Sequence, residues 1–224
     1  MPRARTRIYR QTAASPQEQG SGCLSGFTVI PLTVILVSYL LASLAMKKIS
    51  VLDLPPAPSS NISPIFTAEV QYWAGNIIQW AAASGLDPNL VATIMQTESC
   101  GDPRAISSAG AMGLFQVMPF HFLSADDPFN PHTNAARGLA YLKRSLEAAN
   151  GDARLAMAGY NGGIGIISRA EWTWSAQTKR YVQFGWPIYS AARSGNPSNE
   201  SVQNWHSKYG ASLCRQASQR LGLQ

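Results

Sequence analysis

Residues 87–101 read Asp87-Pro88-Asn89-Leu90-Val91-Ala92-Thr93-Ile94-Met95-Gln96-Thr97-Glu98-Ser99-Cys100-Gly101. Asp87 is an N-cap residue, and Pro88 suits the first helical position, where a missing N–H is no loss. Leu90, Val91, Ile94 and Met95 then recur at helical spacing. Gly101 and Pro103 end the helix near Ser99. Glu98 stands seven residues after Val91 and four after Ile94, so it continues the apolar stripe. It also falls in the last turn, at the negative end of the helix dipole. Burial and that dipole both disfavour a carboxylate, which predicts a raised pKa. On position alone, a half-exposed Glu in a fraying last turn is the other reading.

Working outward, Val70, Trp73, Ile77 and Trp80 follow a near-helical period from Phe66 up to the stop at Gly85. These aromatics suit a core as well as a ligand face. Residues 101–119 are rich in Gly, Ser and Ala and read as a loop around a short turn. A helix is expected over about Asn134–Ala149, with Ala135, Leu139, Leu142 and Leu146 on one face, and another over Ala153–Tyr160. Asn161-Gly162-Gly163 interrupts before a short segment, Ile164–Ala170. The tail from Pro187 is polar, with a helix expected near Ser201–Leu221. Strand signals are sparse, so the body is expected to be a mainly α single domain.

The chain has 224 residues and a formal net charge of +6. Arg3, Arg5, Arg7, Arg10, Lys47 and Lys48 against Glu18 place nearly all of that excess before residue 49. The body is close to neutral and lacks the cationic excess that drives phosphate binding, which argues against a nucleic-acid partner. Gly26–Met46 is an uncharged, mostly apolar run of 21 residues, long enough at ~1.5 Å per residue to cross a bilayer core. A cleaved signal peptide ending at Ser43-Leu44-Ala45 is the alternative, but its apolar region would be shorter. The expected organisation is a basic segment (1–25), a transmembrane helix (26–46), a Pro/Ser-rich linker (47–64), a helical main domain (65–186) and a C-terminal helical extension (187–224). Lys and Arg flank both ends of the apolar run, so charge alone leaves its orientation open. Cys100 and Cys214 could pair in an oxidising compartment or stay free. His121, His132 and His206 lack metal-like spacing, and no metal site is expected.

A carboxylic acid still protonated near neutral pH suits glycosidic bond cleavage, because the leaving oxygen must receive a proton. Four motifs surround Glu98 in series: Glu98-Ser99; Gly110-Ala111-Met112-Gly113-Leu114-Phe115-Gln116-Val117-Met118-Pro119; Ala158-Gly159-Tyr160-Asn161-Gly162-Gly163; and Gln177-Thr178-Lys179-Arg180-Tyr181-Val182. In order and spacing, over about residues 66–186, they resemble the soluble lytic transglycosylase family. The resemblance implies a lysozyme-like catalytic domain that acts on peptidoglycan glycan strands; with residues 26–46 as the anchor, that substrate sets the domain on the outer side of the membrane. It implies cleavage of the β-1,4 bond between N-acetylmuramic acid and N-acetylglucosamine, leaving 1,6-anhydromuramic acid ends, with no cofactor. Glu98 matches the family's single acid/base, and Ser107 a serine near that carboxyl group. Gln116, Met118 and Tyr160 match residues lining the sugar groove, Asn161 the asparagine that shapes the cleft, and Tyr181 the tyrosine of the last motif. Ser107 and Asn161 also suit plain turn positions, and Met118 and Tyr160 suit core. Phe115, Gly159 and Gln177 depart from the family's usual Met, Ala and Glu. Gly159 is expected to cost some helix stability, and Gln177 to alter substrate contacts. A lysozyme-type hydrolase and a non-catalytic peptidoglycan-binding protein are the competing readings; no second carboxylate with an evident role favours the first of these.

Overall fold

The helix announced by Asp87-Pro88 is the axis of the molecule. In the computed structural model, which describes residues 61–223, it spans Pro88–Glu98 (α3), after α1 (Ala68–Tyr72) and α2 (Ala74–Ser84). It is followed by α4 (Pro131–Ala148), α5 (Ala153–Gly162), α6 (Ala176–Ala192), α7 (Glu200–Trp205) and α8 (Ala211–Leu221). One-turn 3-10 helices lie at Pro119–His121, Ile164–Ile166 and Glu171–Thr173, and a π-helical turn, His206–Gly210, joins α7 to α8. The loop before α4 is tied by two isolated antiparallel bridges, Ile106 with Met112 and Met112 with Val117. The mainly α domain expected from the sequence is what forms. The segments 1–25, 26–46 and most of 47–64 lie outside the described residues. Among those described, no helix is long and apolar enough to cross a membrane.

Helix α3 is wrapped on every side, and not along one stripe: Asn89, Thr93 and Gln96 are as buried as Leu90, Val91, Ile94 and Met95. Buried polar groups are tolerable when hydrogen-bonded. Asn89 Oδ1 accepts from Ser63 N (2.7 Å), Thr93 Oγ1 donates to Asn89 O (2.7 Å), and Gln96 Oε1 accepts from Thr67 N (3.1 Å). Packed round α3 are α2, α6 and their neighbours, with Trp73 and Trp80 stacked in the core, their indole N–H groups donating to Gly101 O and His132 Nδ1. These aromatics are therefore core, and His132 is a satisfied histidine.

Both ends of α3 are fixed. At its start the Asp87 carboxylate accepts from Asn89 N (2.8 Å) and from the Tyr189 hydroxyl (3.0 Å), and pairs with Arg193 Nε (3.3 Å), all three from α3 or α6 and its cap. At its end Ser99 Oγ donates to Leu114 O (2.7 Å). Next to it, Cys100 forms a disulfide with Cys214 of α8, 114 residues away in sequence. Glu69 of α1 accepts from Ser218 of α8 at the same junction.

Three expectations shift. Helix α4 begins at Pro131, three residues early, because Asn130 Oδ1 accepts from His132 N and Thr133 N, the same Asx-Pro start as in α3. The helix expected from Phe66 divides at Trp73 into α1 and α2. The boundary placed after residue 186 is corrected, since α6 runs through Pro187 to Ala192. Val182, Ile188, Tyr189 and Ala192 are buried along it, and that packing holds the helix where its proline would otherwise weaken it. Val202, Trp205, Cys214 and Ala217 share the same core, so residues 187–223 complete the domain.

Closing so long a loop makes the disulfide a strong constraint on the unfolded chain. Cys214→Ser is expected to lower stability by about 2–5 kcal/mol, read as a lower urea midpoint, with dithiothreitol reproducing the loss in the native protein. An unchanged midpoint in both would show that the bridge adds nothing to packing.

Candidate active site

Glu98 sits half-buried in the last turn of α3, and burial pushes its carboxyl up from 4.5 to about 7. The opposing effect is a hydrogen bond from the Tyr181 hydroxyl, which favours the ionised form. Among the described residues, no neighbouring charge contributes to the shift. The expected direction is borne out, with desolvation as its cause. Tyr181 OH also accepts from Thr97 Oγ1 (3.2 Å), which fixes the ring beside the carboxyl group. Burial, and after it the charge of Glu98, drives the hydroxyls of both Tyr160 and Tyr181 well above their usual pKa, so both remain neutral donors.

A cavity of about 230 Å³ is lined by Gln116, Met118, Tyr160 and Asn161, four of the residues singled out by sequence. Gln116 has a left-handed backbone (φ 45°), held because its Nε2 donates to Gly113 O (3.0 Å) and Ala105 O (3.2 Å). Met118 is half-exposed on the cavity wall and is not core filler. Tyr160 donates to Phe115 O (2.7 Å), which ties α5 to the loop. Asn161 Oδ1 accepts from Thr178 Oγ1 (3.1 Å), which sets the end of α5 against the start of α6. Ser107 Oγ accepts from Ala111 N (3.0 Å) and closes the turn at 107–111; like Glu98 and Tyr181, Ser107 is not among the residues lining this cavity.

Several shaping residues escaped the sequence reading. Asn134, 1% exposed, donates from Nδ2 to Met112 O (2.8 Å) and Pro128 O (2.9 Å) and accepts at Oδ1 from Phe115 N (2.9 Å). It is the post on which the loop hangs. Gly113 (φ +73°) leaves room for it, since a Cβ there would strike the Asn134 amide. Phe120, His121 and Tyr141 extend the cavity as an aromatic shelf, with His121 and Tyr141 centroids 4.7 Å apart. Burial and Arg144 lower the His121 pKa, so it is neutral at neutral pH. The aromatic run Phe120-His121 directly after Met118-Pro119 was the available signal. Gly159 also proves more than a weak helix residue: a Cβ there would collide with Ser145 Oγ, which donates to Ala156 O (2.8 Å), so the glycine lets α4 and α5 approach.

Four aspartates are otherwise engaged. Asp126 takes two bonds from Arg137 (2.7 and 3.1 Å), Asp127 and Asp152 cap local turns, and Asp102 accepts from Arg104 N (2.8 Å) beside Arg220. Glu69, Cys100 and Cys214 bring metal-binding atom types within 4.8 Å of one another, but the two sulfurs are bonded together.

Residues 75–183 match the family model described as the transglycosylase SLT domain. Over those residues, just under half of the chain, the protein is similar to a transglycosylase SLT domain. The transglycosylase of Enterobacteria phage PRD1 is 39% identical to it over 114 residues, covering 50% of this chain and 40% of the phage protein. Membrane-bound lytic murein transglycosylase C of Klebsiella pneumoniae subsp. pneumoniae is 28% identical over 151 residues, covering 58% of this chain and 42% of that protein. Among solved structures, an inactive mutant of lytic transglycosylase Slt from Pseudomonas aeruginosa aligns with a TM-score of 0.44 and 26% identity, over 52% of this chain and 23% of that one. The chain thus spans about two fifths of the length of these curated relatives. The SLT match contains Glu98 and the cavity, and stops before α7 and α8.

Glu98 also links pH to stability. Its folded pKa, about 7, exceeds its ordinary 4.5, so the neutral acid contributes fully below about 4.5 and stability is lost as pH rises to about 7. Glu98→Gln removes that dependence. After allowance for partial exposure, the variant should gain about 2 kcal/mol more over the native protein at pH 8 than at pH 4.5, measured by urea unfolding. An equal difference at both pH values would show an ordinary carboxyl.

Proposed function

We propose that the chain is a lytic transglycosylase of bacterial peptidoglycan, with Glu98 as its one acid/base. The observation that carries the reading is a carboxyl group with a pKa near 7 in the Glu-Ser motif of an SLT domain. The names of the phage and Klebsiella relatives point to the same reaction class.

Protonated Glu98 donates to the oxygen joining N-acetylmuramic acid to N-acetylglucosamine, and the C1–O bond breaks. The acetamide carbonyl oxygen of the muramic acid stabilises the cationic C1. Glu98, now a carboxylate, takes the proton of the same sugar's 6-hydroxyl as that oxygen bonds to C1. The products are a free 4-hydroxyl and a 1,6-anhydro ring, and Glu98 ends protonated, ready for another turn. A carboxyl titrating near 7 serves both steps, because either form is accessible near neutral pH. Tyr181 holds the carboxyl group and stabilises its ionised form between them. Gln116, Met118, Tyr160 and Asn161 hold the glycan, while Ser107 acts through the turn it closes.

The engagement of Asp87, Asp102, Asp126, Asp127 and Asp152 elsewhere supports a one-carboxylate scheme over a glycosidase with two acids. We place the domain on the outer face of the membrane, tethered through residues 26–46, with peptidoglycan as its partner. The disulfide supports an oxidising compartment.

Digestion of purified peptidoglycan, followed by mass spectrometry of the fragments, tests the reading. Anhydro ends, lighter by one water than hydrolytic ends, are expected, with Glu98→Gln reduced at least ~10³-fold. Reducing ends carrying the added water would identify a lysozyme-type hydrolase instead.

A further inference from the structure

Thr97 and Tyr181, the two residues joined beside Glu98, also line a second, smaller cavity of about 150 Å³ on the α6 side. Its other walls are Gln177, Arg180 and Phe184 of α6 with Trp205 and Tyr209. The last two belong to α7 and the π-helical turn, outside the SLT match, so this cavity is built jointly by the family domain and the segment that follows it.

Its construction is specific. Trp205 is buried and packs against Gly210, where any Cβ would collide with the indole ring. The π turn places Tyr209 edge-on to Phe184, with centroids 4.9 Å apart. Two cations lie on these rings: Arg180 over Tyr209 (5.6 Å) and Lys208 over Phe184 (5.8 Å). Both side chains are exposed; the ring contacts favour these positions for the charges and leave their N–H groups able to donate. Neither cation pairs with a carboxylate among the described residues, and no acidic side chain lines the cavity. Gln177, neutral where the family usually carries an acid, adds no negative charge. An aromatic-walled cavity with Arg180 in its wall and Lys208 over the ring of Phe184, neither with a counter-charge, suits an anion attached to a bulky group.

We propose that this cavity is a carboxylate-accepting subsite that binds the peptide arm of the muramic acid residue during cleavage, with Arg180 and Lys208 as its specificity-determining residues. The inference rests on the peptidoglycan reading and deepens it, because the muramoyl lactyl group is where a glycan strand carries peptide carboxylates. It also gives residues 200–210 a part in substrate choice. The disulfide at Cys214 and the Ser218–Glu69 bond then keep that wall in place beside Tyr181.

The test compares two soluble glycan oligomers with the full-length protein: peptide-bearing fragments with free carboxylates, and the same fragments with those carboxylates converted to amides. The native protein should cleave the free-acid form with a kcat/KM higher by about tenfold, mostly through KM and less so in high salt. Arg180→Gln and Lys208→Gln should each shrink that ratio by about threefold, and the double variant should bring it near one. Binding of both oligomers to Glu98→Gln, with and without the two cation substitutions, is measured alongside. If the native protein cleaves both forms equally, or if the double variant keeps the full ratio, the subsite is overturned while the lytic reading stands. If nothing is cleaved but free-acid oligomers still bind more tightly in a manner that needs Arg180 and Lys208, the lytic reading falls and the subsite stands.

Discussion

The desolvation of the Glu98 carboxyl is the constraint on which the rest depends. A glutamate in a last helical turn would ordinarily reach water, ionise near 4.5 and lose its use as a proton donor. Here the helix that carries it is surrounded, and the turn cannot fray because both of its ends are anchored. Asp87 ties the start to Tyr189 and Arg193, while Ser99 and the Cys100–Cys214 bridge hold the end. The cost of burying the group is eased by a single hydroxyl, that of Tyr181, which lowers the pKa without restoring it to the ordinary value. A carboxyl near 7 therefore results from architecture on the scale of the whole domain.

The loop tied to the end of α3 through Ser99 is controlled in a similar way. Its shape does not follow from regular hydrogen bonding, because only two isolated bridges stabilise it. Instead Asn134 reaches from α4 and satisfies three backbone groups at once, Gln116 braces its own loop in a strained conformation, and Tyr160 closes the far side. Every one of these side chains uses much of its hydrogen-bonding capacity on protein. The groove is thus prepared before substrate arrives, which reduces the ordering that binding must impose.

Much of this was legible in the chain itself. Asp87-Pro88 and Gly85 announced helix ends because capping chemistry is local, and the apolar period predicted α3 and the direction of the Glu98 shift. Gln116, Met118, Tyr160 and Asn161, chosen through the family resemblance, do line one cavity. What stayed hidden depends on contacts between distant residues. Asn134 looks like one more polar residue near a helix start until its partners at 112, 115 and 128 are known. Pro187 signals a helix end locally, and burial of Ile188 and Tyr189 overrides that signal. The pairing of Cys100 with Cys214 needs α8 to return to α3, which no spacing reveals. The hydroxyl of Ser107, matched through the resemblance, also closes a turn on Ala111 N.

The most direct measurement is a carbon-13 NMR titration of the Glu98 carboxyl in the folded domain, assigned by its loss in Glu98→Gln. A midpoint near 7 is the predicted result, rising further in Tyr181→Phe as the one stabilising hydrogen bond is removed. A midpoint near 4.5 would contradict the account, because the carboxyl would then be solvated and ionised throughout the neutral range.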